Sequence, residues 1–377
     1  MRIGLLPDFK EEHWPSMELV AEMLLSEIDA GSVGPIRAEN LLPPYRRRFA
    51  RLPLLGQSGT ALNADRFLNR MIDYPRSVKQ CASRFDCFHV CDHAYANLVH
   101  ALPAERCGVF CHDLDTFRCL FDPAAEPRPR WFKKMMRRVL DGFKQAALIF
   151  HTTYEVRRQI LARGLVPESR LIQVPLGVSG VFNSNATPAF QFSSVALRDA
   201  VEAPFLLHVG SCIPRKRIDV LLDIAAGLKL KHNALRLIKI GGTWSAPQCA
   251  QLEHLNLARD CVHIPWLDEK NLAQLYRRAA VVLQPSDAEG FGLPVIEALA
   301  SGSIVVASDI PTLREAGGEA AVYCPVGAVG QWVETIDRLL RHPESAPATE
   351  KRLEQASKSS WTAHAEAICA AYRKIAP

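Results

Sequence analysis

The strongest constraint is a rhythm. Short apolar runs alternate with longer amphipathic ones, and the alternation occurs twice. In the first half, Arg2–Leu6, Asp86–Val90, Cys107–Cys111, Leu148–His151 and Leu171–Val174 read as buried strands. Met17–Ile28, with Ser16 as its cap, and Thr153–Arg163, stopped by Gly164, read as helices between them. Leu41–Leu55, rich in Pro and Arg, reads as a loop. From 180 to 203 the pattern breaks, and Ser, Asn, Ala and Pro through Phe182–Phe192 suggest a linker. It then restarts with strands at Phe205–Val209, Leu235–Ile240, Val262–Ile264, Val281–Gln284 and Ile304–Ala307, and a helix at Ile218–Leu228. This is the β-α-β signature of parallel, doubly wound sheets. The fold class expected is α/β, with two doubly wound Rossmann-like domains facing a cleft.

The expected boundaries are 1–185 for the first domain and 186–355 for the second. Residues 344–360 read as a polar loop. A last helix, Trp361–Ile375 within 356–377, carries Trp361, Ala365, Ile368, Tyr372 and Ile375 on one side. Such a helix needs a surface, and the first domain is expected to supply it. The 377-residue length is enough for two cores, with 48% hydrophobic residues. Residues 1–185 hold 25 Lys and Arg against 20 Asp and Glu, and the rest is balanced at 20 against 20. That excess is too mild for a nucleic-acid binder but suits an anionic surface. No apolar run approaches the ~20 residues of a membrane span. The N-terminus reads as a first strand rather than a signal peptide. The eleven scattered cysteines, without a Cys-x-x-Cys pair, point to reduced thiols and a cytoplasmic setting.

The chemistry concentrates in Ser286–Ala298. The stretch follows a strand and opens a helix that runs to about Ala300. Gly290 and Gly292 permit a tight turn and close backbone approach. The new helix offers unpaired N–H groups and a positive dipole end. A phosphate or polyol there meets backbone donors, while Glu289 and Glu297 accept from hydroxyls.

These residues resemble a known family. Glu289 and Glu297, within the run EGFGLPVIEA at 289–298, look like the E-x7-E motif of retaining glycosyltransferases of the GT-B fold, family four. Leu207-His208-Val209-Gly210, Arg215-Lys216, Ile240-Gly241-Gly242, Leu275-Tyr276 and Ala300-Ser301-Gly302 fall in the family's order. The resemblance implies that Glu289 holds the donor sugar's 3- and 4-hydroxyls. Gly290, Phe291, Gly292 and the adjoining Leu293 would meet sugar or phosphate at the helix start, and Glu297 the ribose hydroxyls. Gly210, Ser211, Arg215, Lys216 and Gly242 would line the diphosphate. Ser211 stands where the family often has arginine, so either Arg215 or Arg217 would compensate or the grip on phosphate would be weaker. His112, after the strand ending at Cys111, resembles the family's cleft histidine near the sugar 6-hydroxyl. His112, Glu289 and Lys216 are the expected catalytic residues.

Asp113-Leu114-Asp115 spells a D-x-D, a metal motif in another glycosyltransferase fold. The resemblance instead implies no bound metal, with Lys216, arginines and helix dipoles facing the departing diphosphate. The implied reaction moves a hexose from GDP-mannose or a UDP-hexose to a glycan or lipid-linked acceptor with retention, as in cell-surface polysaccharide or glycolipid synthesis. The first loop, Pro7–Pro15, departs from the family's Gly-Gly pair. Tyr95, near a strand end, is placed either to line the acceptor side or to pack in the core. Arg130–Phe143 interleaves Trp131, Phe132, Met135, Met136, Val139, Leu140 and Phe143 with basic residues. It reads as a core-facing helix with a solvated basic side or as a surface for anionic lipid on the inner membrane face, with Tyr45-Arg46-Arg47-Arg48 and Arg51 adding to it. A non-catalytic nucleotide-sugar sensor or subunit is the alternative of a different class. A nicotinamide oxidoreductase is excluded by the lack of a G-x-G-x-x-G after a first strand.

Overall fold

The computed structural model describes residues 1–52, 58–185 and 194–376. It contains two six-stranded sheets, each in its own unit, and every strand pairing is parallel. One unit comprises Met1–Gly177 and Trp361–Pro377, the other Val178–Ser360. The division therefore falls at 177 rather than 185, and the second unit extends to 360 rather than 355. Much of the expected linker, at 186–192, lies outside the described residues.

In the first unit the strands are β1 (Arg2–Leu6), β2 (Arg37–Asn40), β3 (Cys87–Val90), β4 (Cys107–Cys111), β5 (Leu148–His151) and β6 (Leu171–Gln173). They run in the order β2-β1-β3-β4-β5-β6. The central strands β3, β4 and β5 are wholly buried, which is why they read as unbroken apolar runs. β2 carries Arg37, Glu39 and Asn40 at the sheet edge, with no apolar run to betray it.

The second sheet contains β7 (Phe205–Val209), β8 (Arg236–Ile240), β9 (Cys261–Ile264), β10 (Val281–Gln284), β11 (Val305–Ser308) and β12 (Val322–Cys324). Its order is β12-β11-β10-β7-β8-β9. β12 is a three-residue edge strand, also unread in the sequence. In each sheet the winding reverses once, between β1 and β3 and between β7 and β10. Open α/β sheets bind ligands at the carboxyl ends of the strands flanking such a reversal.

Two helical expectations need correction. The helix Pro15–Asp29 starts before Ser16, with Trp14 at the N-cap and proline at the first helical position, where a missing N–H costs nothing. Residues 344–360 are not all loop, because Thr349–Ser357 is a helix that buries Ala356 and most of Arg352. Gly164, in the left-handed region at φ 57°, closes the helix Tyr154–Ala162, and Thr153 caps its start.

The last helix, Trp361–Tyr372, belongs to the first unit. The Tyr372 hydroxyl donates to the Phe88 carbonyl at 2.8 Å and meets His89 Nδ1 at 3.0 Å. Its ring lies against Phe150. Gly108 in β4 leaves the room this requires, since a Cβ there would strike the Tyr372 ring and hydroxyl. Thr362 donates to Glu27 at 2.9 Å and His364 Nδ1 to the Pro175 carbonyl at 2.9 Å. Among the described residues no helix is long and apolar enough to cross a membrane. All eleven cysteines are free, and seven are buried as small hydrophobes.

Tyr372→Ala is expected to lower the stability of the first unit by about 3–5 kcal/mol, the cost of removing a large buried ring, read as a shift of its urea midpoint. A shift under about 1 kcal/mol would show that the last helix is dispensable.

Candidate functional site

In the second unit the reversal lies between β7 and β10, and the loops after these strands carry the motif residues. After β7 the chain runs through Gly210 and Ser211 to a 3-10 turn, Pro214–Lys216. After β10 it runs through Ser286 and Glu289 to the helix Leu293–Ala300. The loops are joined by the Asp287 N–H, which donates to the Arg215 carbonyl at 3.0 Å.

Lys216 and Glu289 meet here. Lys216 Nζ donates to Glu289 Oε1 at 2.7 Å and Oε2 at 2.8 Å, and both side chains are largely buried. Ser286 Oγ and Gln284 Nε2 add donors to Oε1 at 2.7 and 2.6 Å. Burial alone would raise the Glu289 carboxyl, but the Lys216 ammonium, these donors and the charge of Arg215 hold it below its usual value. Glu289 is thus an oriented carboxylate. Arg217 turns away into a pair with Asp219, with 2.8 Å between Nη2 and Oδ2. Of Arg215 and Arg217, it is Arg215 whose charge acts on Glu289.

Gly292 caps the helix Leu293–Ala300 at φ 100°, in the left-handed region, and a Cβ there would lie 2.9 Å from Leu313. Only glycine makes this turn without strain. The N–H groups of Phe291, Gly292 and Leu293 donate to no group among the described residues. Phe291 is buried and Leu293 half-buried. The second motif glutamate, Glu297, accepts from the Tyr276 hydroxyl at 2.9 Å. Burial pushes its carboxyl up from 4.5 to about 7 despite that bond. Tyr276 itself is fully buried.

Gly241 and Gly242, at φ 96° and 67°, end β8 against the β7 loop. A Cβ on Gly241 would lie 2.8 Å from the Gly210 carbonyl oxygen, and one on Gly242 2.7 Å from the Cys212 nitrogen. Gly210, Ser211, Arg215, Lys216, Gly242, Glu289, Gly290, Phe291, Gly292, Leu293 and Glu297 thus all fall on the loops after β7, β8 and β10 or on the helix they open.

Gln284, Ser286, His208 and Lys239 carried no role in the expectations from sequence, although Ser286 opens the 286–298 stretch and His208 lies in the 207–210 run. The first two sit at the end of β10 and hydrogen-bond Glu289. Their only signal was their place at a strand's carboxyl end. His208 and Lys239 are fully buried polar side chains flanked on both sides by apolar residues of their strands. That mismatch of residue type and run is a legible signal.

In the first unit His112 follows β4 and is buried. Its Nε2 donates to the Cys91 carbonyl at 2.9 Å, which leaves Nδ1 as the acceptor of a neutral ring. Burial lowers its pKa, so neutral imidazole is the resting form. Around the β1–β3 reversal lies a cluster that the sequence reading did not assemble. Asp92, after β3, has Oδ1 2.9 Å from His93 Nδ1 and accepts from the Ala94 N–H at 2.9 Å. Burial opposes its charge, yet the His93 ring and that N–H hold it well below the carboxylate range. Asp8, after β1, is buried with neither carboxyl oxygen partnered. Burial and the facing Asp92 push it well above its usual value. Asp8 thus holds its proton more tightly than a free carboxyl, and it lines a depression with Pro7, Lys10, Glu22 and Asn40.

Tyr95 belongs to the core rather than to a binding surface. Its ring packs against Phe9 and Tyr74, and the Arg70 guanidinium lies 4.3 Å from its centroid. Asp113 Oδ1 accepts from the Asp115 N–H at 3.0 Å, closing a local turn. Among the described residues no group of three or more His, Cys, Asp or Glu is arranged to hold a metal.

Residues 191–359 match the family model described as glycosyl transferases group 1. The chain is 26% identical to O-antigen chain mannosyltransferase B of Escherichia coli over 267 residues, 68% of this chain and 67% of that one. It is 30% identical to the D-inositol 3-phosphate glycosyltransferase of Mycobacterium bovis over 239 residues, and spans about half of that protein, 48%. Among solved structures, sucrose-phosphate synthase from Thermosynechococcus elongatus superposes with a TM-score of 0.74 at 17% identity, covering 99% of this chain and 98% of that one. Anabaena HepE in complex with UDP-glucose gives 0.72 at 15% identity, covering 99% of both. These likenesses show the fold, which is GT-B: two Rossmann-like units with parallel sheets.

Two outcomes test the site. Lys216→Met leaves Glu289 buried without its counter-charge and should cost about 3–5 kcal/mol, whereas Lys216→Met combined with Glu289→Leu should cost well under the sum of the single changes. Additive losses in chemical denaturation would show that the pair is not coupled. For Glu297, the folded form holds its proton more tightly than the unfolded chain does. Its contribution is present below pH 4.5 and is lost as pH rises toward 7. Melting temperature from pH 5 to 7.5 should therefore fall less in Glu297→Gln than in the wild type, and parallel curves would overturn this.

Proposed function

We propose that the protein is a retaining glycosyltransferase that moves a hexose from a nucleotide diphosphate sugar to a hydroxyl of a glycan or lipid-linked acceptor. The observation that carries the reading is the Lys216–Glu289 pair across the β7–β10 reversal, beside a glycine-capped helix start. The glycosyl transferases group 1 match over this unit and the GT-B fold support a glycosyltransferase that uses nucleotide sugars. The likeness to an O-antigen mannosyltransferase favours mannose from GDP-mannose, with a UDP-hexose as the other donor.

In this reading the diphosphate lies along Ser211, Arg215 and Lys216, with the N–H groups at the start of Leu293–Ala300. The cations and donors are fixed before the leaving group develops charge, which lowers the barrier without reorganisation. Glu289, already oriented by Lys216, Ser286 and Gln284, accepts from sugar hydroxyls. Glu297 accepts from the ribose. His112 accepts a sugar hydroxyl at Nδ1. The acceptor hydroxyl attacks from the face the diphosphate leaves, and the departing phosphate takes its proton. No carboxylate nucleophile and no metal are required. The first unit takes the acceptor near Asp8 and the depression it lines.

The helix Arg130–Gln145 adds a partner. Met136, Val139, Leu140 and Phe143 face the core, while Lys134, Arg137 and Arg138 are exposed and Trp131 is 63% exposed. A cationic face with an exposed indole complements an anionic lipid surface, where a lipid-linked acceptor would lie. Arg48 is unavailable to it, being tied to Asp73 at 2.7 Å, while Arg46, Arg47 and Arg51 remain exposed.

Incubation with GDP-mannose, UDP-glucose, UDP-N-acetylglucosamine or ADP-glucose should give a rise in melting temperature with one donor that persists in EDTA and is lost in Glu297→Ala. With acceptor present, Glu289→Gln should lower turnover by about 100-fold or more, as loss of an oriented charged contact in the transition state does. Binding without turnover for any acceptor would favour the sensor reading. No shift with any donor would overturn the donor site. Separately, sedimentation with phosphatidylglycerol vesicles should fall severalfold in Arg137→Glu/Arg138→Glu and be absent with phosphatidylcholine. Equal sedimentation of wild type and variant would overturn the lipid surface.

A further inference from the structure

Lys239 stands in the middle of β8 with no exposed surface. Its Nζ donates to the Gly210 carbonyl at 2.5 Å and also to the Gly241 carbonyl. Trp244 covers it, with the ring centroid 5.9 Å from Nζ. The titratable groups around it are Cys212, Lys216, Cys261, His208 and His263. No carboxylate is among them, and the nearby Glu289 is already matched by Lys216. A buried cation held by backbone carbonyls and the Cys212 side chain, with no carboxylate partner among the described residues, is costly, and an anion nearby would offset that cost.

The two carbonyls show where that anion goes. Each is half of a planar trans peptide, so the N–H at its other end points the opposite way. Turning the Gly210 and Gly241 carbonyls inward onto Lys239 turns the Ser211 and Gly242 N–H groups outward. Neither N–H donates to any group among the described residues. The loops that carry them touch, since a Cβ on Gly242 would lie 3.1 Å from Ser211 Cα. The two N–H groups therefore lie on neighbouring loops with the Lys239 ammonium behind both, and Lys216 lies beside Gly210.

We propose that Lys239 is a positioning residue for the donor's diphosphate: it orients the Ser211 and Gly242 N–H groups toward the phosphate oxygens and supplies the charge behind them. This rests on the donor site proposed above. It also accounts for Ser211, where an arginine would place charge in front of the phosphate. Here the charge sits behind the loop and acts through two peptide planes. Because Lys239 is buried, the effect is screened little by salt.

The test is calorimetric titration of GDP, UDP, guanosine and uridine into wild type, Lys239→Met and Lys239→Gln, with a ligand-free melt of each. In Lys239→Met the Kd of the preferred nucleoside diphosphate should rise tenfold or more. The Kd of its nucleoside should stay within twofold, and the ligand-free melting temperature should hold or rise. Lys239→Gln, which returns a donor to the carbonyls without the charge, should fall between the two. An unchanged diphosphate Kd overturns the proposal. A parallel loss of nucleoside and diphosphate affinity with a lower melting temperature also overturns it, since that marks a merely structural lysine. If Lys239→Met does not melt cooperatively, the same comparison on Lys239→Gln decides. Wild type that binds neither nucleoside diphosphate overturns the donor site itself, an outcome distinct from the others.

Discussion

The ion pair between Lys216 and Glu289 ties the two loops on which the candidate site is built. β7 and β10 are neighbours in the sheet although 71 residues of chain separate Val209 from Val281. Their C-terminal loops are also joined by the backbone bond from the Asp287 N–H to the Arg215 carbonyl. A bidentate bond at 2.7 and 2.8 Å, nearly out of water, fixes them to each other. Ser286 and Gln284 restrict the carboxylate further. The arrangement is costly in isolation, because two charges are desolvated. In the proposed donor site the arrangement would be useful, because a ligand bringing hydroxyls to the carboxylate and phosphate charge to the ammonium would find both groups already aimed.

Beyond the Ser286 and Gln284 side chains, the second unit places backbone donors near that pair. The N–H groups at Phe291–Leu293 come from a glycine-capped helix start, and those of Ser211 and Gly242 from two touching loops. Backbone donors have little freedom to lose on binding, unlike long basic side chains. The first unit concentrates polar groups at its own sheet reversal, but by other means. Asp92 pairs with His93 at 2.9 Å, the facing Asp8 holds its proton more tightly than a free carboxyl, and burial disfavours the charged form of His112. Its sheet is closed on one face by a helix from the far end of the chain, seated by Tyr372 over Gly108.

Much of this was legible in the amino-acid order. Arg2–Leu6, Cys107–Cys111, Leu148–His151, Phe205–Val209 and Val281–Gln284 are strands at the expected residues, because strands buried on both faces must be continuously apolar. The run from Glu289 to Ala298 announced a turn and a helix start through Gly290, Gly292 and Pro294. The edge strands β2 and β12 escaped notice for the converse reason, being short and half-solvated. The helix Thr349–Ser357 was hidden by its polar composition and by Pro343 and Pro347 just before it.

The sequence by itself determined two parallel α/β sheets and the location of the ligand-facing chemistry, since periodicity and glycine placement are local properties. Only the tertiary structure decided which groups face one another. That Lys216 pairs with Glu289, that Arg217 is tied to Asp219, that Tyr95 is core while Asp8 faces Asp92, and that Lys239 reaches the carbonyls of two loops all depend on strand order. Strand order is set by the packing of whole sheets, and no window of sequence contains it.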